Sequence, residues 1–267
     1  MPVLRAFSAP LALAWTALVT AGLWLALSIV FALFGRSAND IVLLGLTQVG
    51  IYALVLGAFR YGSGTPFRDL LALHRAPLLL CLAAAALGAA LQVPASLLSN
   101  LVEHFFPTPP AVLAERMARI TPSSTLNAIS ILVVVAGLGP CVEEFFFRGA
   151  LFGALRKGYG ALPTVWVVSL CFALAHLDAR LFLPLLVAAV VLAQVREYTH
   201  SIWPGLALHA AFNATTLQFV FSGATPDGKA PDIPLYTAVT GCVLSVLLFR
   251  AVRRLALHTP ASTRLSA

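Results

Sequence analysis

The sequence predicts an all-α fold, a polytopic membrane helix bundle of about eight transmembrane helices. Three observations carry this reading. Hydrophobic residues fill 60% of the 267 positions and charged residues only 10%, against roughly 25% charged in soluble domains. Apolar runs of about 20 residues, the length that crosses a bilayer core, recur along the chain. Breakers and polar residues gather between the runs, as in GRSAND at 35–40, RYGSGTPFRD at 60–69, FPTPP at 106–110 and SGATPDGKAPD at 222–232.

In chain order the runs are 10–34, 41–59, 76–100, 125–155, 161–177, 181–196, 202–222 and 233–252. The first follows Arg5. Its length exceeds the ~7–15 residues of a secretory signal's apolar core, so it reads as a retained span. The fifth and sixth are short. Between the third and fourth, AVLAERMARI at 111–120 places apolar residues at helical spacing and reads as a helix lying along the interface. The last ten residues, 258–267, read as a disordered tail, and no internal repeat is evident.

The formal net charge of +7 would suggest nucleic acid in a soluble protein. Here the basic residues sit at the ends of apolar runs, which reads as topology and excludes a nucleic-acid partner. Arg5, Arg60, Arg68, Arg75, Arg156, Lys157, Arg196, Arg250, Arg253, Arg254 and Arg264 fall on one side of the predicted spans. Arg36, Arg116, Arg119, Arg180 and Lys229 fall on the other. The larger group marks the cytoplasm, and both termini lie there. The expected location is therefore the cytoplasmic (inner) membrane. Cys81, Cys141, Cys171 and Cys242 all lie in apolar runs without CxxC spacing, which argues against disulfides or a zinc cluster of cysteines.

Chemistry concentrates in GLGPCVEEFFFRGALFGAL at 137–155, where Glu143, Glu144 and Arg148 interrupt an apolar run. Ionisable groups at membrane depth cost ~2.5–3.5 kcal/mol on insertion scales and face a bundle interior or a wet cavity. Further on, FALAH places Phe172 and His176 four residues apart, and HAAFN does the same for His209 and Asn213. Residues four apart share a helix face, so these groups are expected to converge on one cavity. Glu144 shares its face with Arg148 and pairs with it. Glu143 shares its face with Pro140 and Phe147, which leaves its carboxylate without a partner on its own helix. A carboxylate so placed suits general acid–base work. Pro140 lacks an N–H, frees a backbone carbonyl and is expected to widen the helix beside Glu143. His74, His104, His200 and His258 read as surface residues, and Glu197 with His200 is too sparse for a metal site.

The motifs EExxxR, FxxxH and HxxxN in this order, on successive membrane helices, resemble the CPBP family. These are the CAAX proteases and bacteriocin-processing enzymes, also called Abi, which include the eukaryotic type II CAAX prenyl endopeptidase. The resemblance covers about residues 125–222. It implies an intramembrane endopeptidase in which Glu143 is the base, with His176 helping to activate the attacking water. His209 and Asn213 would stabilise the oxyanion, Glu144 and Arg148 would support the site, and Phe172 would line it. The domains are then 1–124, the N-terminal transmembrane helices and interfacial segment; 125–222, the catalytic core; and 223–267, the last transmembrane helix and basic tail.

The resemblance leaves the catalytic type open between a glutamate-activated water and a metal. Zinc is a candidate cofactor, with Glu143, His176 and His209 as candidate ligands, since His₂Glu is a known catalytic set. HExxH is absent, Ser63 in YGSG lacks the spacing of a rhomboid nucleophile, and every Asp lies in a connection. The implied substrate is a membrane-associated protein or peptide, lipidated or not: a CAAX-type tail, a sorting segment or a bacteriocin-like precursor. Membrane lipid is the other partner. The alternative is a non-proteolytic scaffold, immunity protein or proton-coupled carrier on the same fold.

Overall fold

The computed structural model describes residues 7–34, 40–223 and 233–258. Arg5, Arg36, Lys229, Arg264 and the tail beyond His258 lie outside the described residues. Each apolar run forms a helix. In chain order the longer helices are α1 (Ala9–Phe34), α2 (Ile41–Ser63), α3 (Leu78–Phe105), α4 (Pro110–Ile120), α5 (Thr125–Arg156), α6 (Ala161–Ala175), α7 (Ala179–Thr199), α8 (Trp203–Phe221) and α9 (Leu235–His258), with one short turn of helix, Phe67–Leu70, between α2 and α3.

Among the described residues, 6 helices are long and apolar enough to cross a membrane: α1, α2, α3, α5, α7 and α9. The protein is therefore a multi-pass integral membrane protein with an all-helical bundle. The expectation of about eight spans is met in part. α6 has 15 residues, about 22 Å at 1.5 Å each, short of a hydrocarbon core of about 30 Å. α8 carries Pro204, His209, Asn213 and Gln218 among its apolar side chains, and these lower its hydropathy.

Local chemistry sets the helix ends. Asp40 starts α2 by accepting from Leu43 N at 3.1 Å. Ser124 caps α5 through Asn127 N at 3.2 Å, and Asp178 caps α7 through Arg180 N at 2.9 Å. Each satisfies an amide that the helix leaves unpaired. Gly64, at φ +66, ends α2 in the left-handed conformation. α3 is interrupted at Leu91, between segments ending at Ala90 and starting at Gln92. Pro94 follows closely and withholds the N–H that would continue the ladder.

The core has an aromatic centre. Phe146, Phe147 and Phe152 of α5 and Phe172 of α6 are buried together with Val55 and Phe59 of α2 and Ala189 and Ala193 of α7. Of the aromatic run 145–147, Phe146 and Phe147 thus belong to the core. A second cluster joins Leu80 and Leu87 of α3 to Leu192, Leu208 and Val252. Arg156 makes a two-point contact with Glu197, Nε to Oε2 at 2.9 Å and Nη2 to Oε1 at 3.0 Å. That pairing gives Glu197 a structural role between α5 and α7. His104, His200 and His258 are exposed, whereas His74 is half-buried and its carbonyl accepts from Ser201 Oγ at 2.6 Å.

α3 and α8 touch backbone to side-chain-free backbone. A Cβ on Gly88 would lie 2.1 Å from the Leu208 carbonyl oxygen, far inside van der Waals contact. Gly88→Ala is therefore expected to push α8 outward and to destabilise by about 1–3 kcal/mol, the usual range for overpacking. A thermal-unfolding midpoint equal to that of the parent would show that the two helices are not so close.

α4 packs lightly and none of its residues is fully buried. Arg116 ties it to Asp178 at the start of α7, and Arg180 donates to the Phe106 carbonyl at 3.2 Å.

Candidate active site

The site is built on α5, α6 and α8, with one contribution from α2. α5 is not a uniform α-helix. Leu132–Leu138 and Phe145–Leu151 are wide π turns, and the six residues Gly139–Glu144 between them are α-helical. The Gly139 N–H bonds the Val134 carbonyl five residues back. In that register the next carbonyl, Val135, would receive the N–H of residue 140, which proline lacks. Asn213 supplies the missing donor from α8, its Nδ2 reaching Val135 O at 2.8 Å. The expected widening beside Glu143 is present, and the freed carbonyl anchors Asn213. π turns of this kind recur at functional sites.

The two glutamates have different surroundings. Glu144 and Arg148 are both fully buried, with Arg148 Nη1 donating to Glu144 Oε1 at 2.8 Å. Arg148 Nη2 also reaches the Ala189 carbonyl at 3.3 Å, and its guanidinium lies 4.4 Å from the Phe172 ring centre. The same Glu144 oxygen meets His209 Nδ1 at 3.0 Å. A carboxylate next to a guanidinium accepts, so Nδ1–H is the donor and Nε2 is turned the other way. Glu144 Oε2 faces Gly205, is buried and has no hydrogen-bond partner among the described residues.

Glu143 lies on that other side. Its Oε2 is 3.8 Å from His209 Nε2, and its Oε1 accepts from Gln48 Nε2 of α2 at 2.9 Å. The expectation that Glu143 lacks a partner holds only for its own helix. Gln48 is the site residue that sequence reasoning missed; the signal was an amide in the otherwise apolar run 41–59.

His176 stands at the end of α6 as its C-cap residue, not inside the span. Leu177 follows with φ +51, a left-handed kink that stops the helix and starts the turn into Asp178. His176 Nδ1 meets the Phe172 carbonyl at 2.9 Å. A carbonyl only accepts, so Nδ1 is the donor here, which in the neutral tautomer leaves the lone pair on Nε2. Phe172 packs against both imidazoles, with ring centres 4.9 Å from His176 and 5.7 Å from His209.

Glu143, Phe172, His176, His209 and Asn213 line one cavity of about 100 Å³. A second cavity of about 420 Å³, between α1, α2 and α4, shares Glu143 and His176 with it. A third, of about 370 Å³, lies between α3, α4, α7 and α8 and shares Leu185 and Phe212. The carboxylate thus sits where a small chamber, apolar but for Glu143, the two histidines and Asn213, meets larger and somewhat more open space. Glu143, His176 and His209 do not fit a zinc site in this arrangement. Both Nδ1 atoms donate to protein oxygens and leave Nε2 available, as metal-bound histidines also do, but the described residues contain no cluster of three His, Cys, Asp or Glu able to hold a metal ion.

Comparison with known families bears on this part of the chain. The family model described as "Type II CAAX prenyl endopeptidase Rce1-like" matches residues 125–215. The chain carries a domain of that family there, spanning α5 to most of α8 and including every site residue above except Gln48. A search of the curated proteins and one of the solved structures each returned no match.

Proposed function

We propose that the protein is an intramembrane endopeptidase that cleaves a membrane-associated protein or peptide with a glutamate-activated water. The observation that carries this reading is the shared cavity. A carboxylate held by a neutral amide faces one imidazole with a free Nε2, a second imidazole and a side-chain amide. The family domain over residues 125–215 supports the same class of reaction.

In the proposed reaction a water sits between Glu143 Oε2 and His176 Nε2. Glu143 takes one of its protons as the water oxygen attacks the scissile carbonyl carbon. The oxygen of that carbonyl becomes an oxyanion. It is stabilised by His209 Nε2–H and the second N–H of Asn213, the first being fixed on Val135. For this the His209 ring enters the reaction with a proton on both nitrogens; its charge faces the Glu143 carboxylate before the attack and the oxyanion after it, with Glu144 on its far side throughout. Glu143 returns the proton to the leaving nitrogen as the C–N bond breaks. Glu144 and Arg148 act through His209 and do not touch substrate. α6 and α8 complete an eight-helix bundle, both termini are cytoplasmic, and the membrane is the inner one.

Membrane proteins accumulating in cells with the parent chain are to be compared with those in cells carrying the Glu143→Gln variant. Uncut substrates, longer at one end, are expected only in the variant. Identical membrane protein profiles, together with transport of a solute lost in the variant, would favour a carrier instead. Purified protein freed of metal, as verified by elemental analysis, is expected to keep its turnover in strong chelator. Activity that is lost there and returns only with added zinc would reverse the metal-free reading.

A further inference from the structure

α2 lies outside the matched domain, yet one face of it is shaped for α5. Gly45 leaves room where Val134 descends, since a Cβ there would come within 2.8 Å of Val134 Cγ2. One turn further, Gln48 passes Gly139, where a Cβ would lie 3.5 Å from Gln48 Oε1. One more turn on, Tyr52 is buried and meets Phe146 edge-on at 5.7 Å. Residues 45, 48 and 52 follow the i, i+3, i+7 spacing of a single face. The close approach at Gly45 therefore sets the position of the Gln48 amide.

A glutamine in a membrane helix commonly hydrogen-bonds a neighbouring helix simply as glue. Gln48 differs in its target. Thr47, its neighbour, returns its hydroxyl to the Leu43 carbonyl of its own helix at 2.8 Å, whereas Gln48 donates to the carboxylate that lines the chamber with both histidines. It holds Oε1 and leaves Oε2 as the oxygen facing His209 Nε2. The adjacent glutamates thus receive opposite treatment: Glu144 has the cation of Arg148, Glu143 a neutral donor. A cation at position 48 would compete with the reacting proton for the negative charge of the carboxylate, and an amide does not.

We infer that Gln48 is a positioning residue for the reaction, fixing the plane of the Glu143 carboxylate so that Oε2 receives the proton of the attacking water. The inference rests on Glu143 acting as the base. The other titratable groups around that carboxylate are His209 on α8, His176 on α6, Tyr52 on α2, Glu115 and Arg119 on α4, and Glu144 and Arg148 on α5 itself. None of them donates to Glu143 Oε1 in the structure; Gln48 does.

The test uses purified full-length chain in detergent and an internally quenched, prenylated CAAX peptide. Gln48→Leu keeps an apolar side chain of similar bulk at the α2–α5 contact but cannot donate. It is expected to lower kcat roughly 10-fold or more with KM unchanged, as for losing a hydrogen bond to a charged group. The thermal midpoint should stay near the parent value. Thr47→Val is the control and should change neither constant. Gln48→Met repeats the measurement with an unbranched side chain should leucine disturb packing. Parent-like kcat in the Leu and Met variants, or a loss confined to KM, overturns the inference.

A second readout needs no substrate. In infrared difference spectra, the Glu143 carboxylate band is the one absent from Glu143→Gln. It should shift in Gln48→Leu and stay in place in Thr47→Val. An unmoved band overturns the role of Gln48 even if the peptide is not a substrate. A parent chain that leaves the peptide intact counts against that substrate, and the band still decides the part played by Gln48.

Discussion

Glu143→Gln is expected to abolish cleavage, with a loss of about 10²-fold or more, in a protein that still inserts and folds. Glutamine matches glutamate in size, and its carbonyl oxygen can still accept from Gln48, so the α2–α5 contact survives. What disappears is the ability to take a proton from water. His209 keeps its bond to Glu144 at Nδ1, and the oxyanion groups are untouched. The thermal midpoint of the variant should therefore match the parent while its turnover does not. Full activity in purified Glu143→Gln would remove the general base from the proposed mechanism.

Arg148→Ala is expected to act on stability as much as on activity. The Glu144–Arg148 pair is completely buried, and removing one partner of such a pair costs about 3–5 kcal/mol because it strands a charge. The neighbourhood offers little compensation. Glu144 Oε2 already has no partner among the described residues, so only His209 Nδ1 would remain for the carboxylate. Arg148 also donates to Ala189 O and covers the Phe172 ring, so truncation opens a void at the junction of α5, α6 and α7. Yield, thermal midpoint and turnover should all fall. A protein of parental stability without activity would instead place Arg148 in contact with substrate.

The parts of this site that were legible in the sequence are those governed by one helix. The Glu144–Arg148 pair follows from i, i+4 spacing, and the structure closes it at 2.8 Å. Pro140 announced a disturbed ladder, and two π turns flank the glutamates. Contacts between helices were harder to read. Gln48 is 95 residues from Glu143, and nothing in the spacing of α2 says which neighbour it meets. His176 was expected inside a span, because the FxxxH pattern looks the same whether or not the helix continues. The left-handed Leu177 that stops it has no side-chain signature of its own. Counting spans from apolar length likewise failed to distinguish α6 and α8. One is short, and the other exchanges hydropathy for the groups that line the chamber.

The bond from Asn213 to Val135 also bears on how the chain assembles. Hydrocarbon offers no water to an unpaired carbonyl, and such a group costs several kcal/mol there. In the wide register of the folded helix, α5 without α8 would carry that burden at Val135, because Pro140 has no N–H to relieve it from within. In the folded bundle its distant partner supplies the donor that α5 itself lacks. The proline thereby ties the completeness of α5 to the placement of α8: a bundle of this register in which α8 is displaced or missing would keep an unpaired carbonyl. Changing Asn213 to a residue without a donor would leave that carbonyl unpaired in a correctly assembled chain.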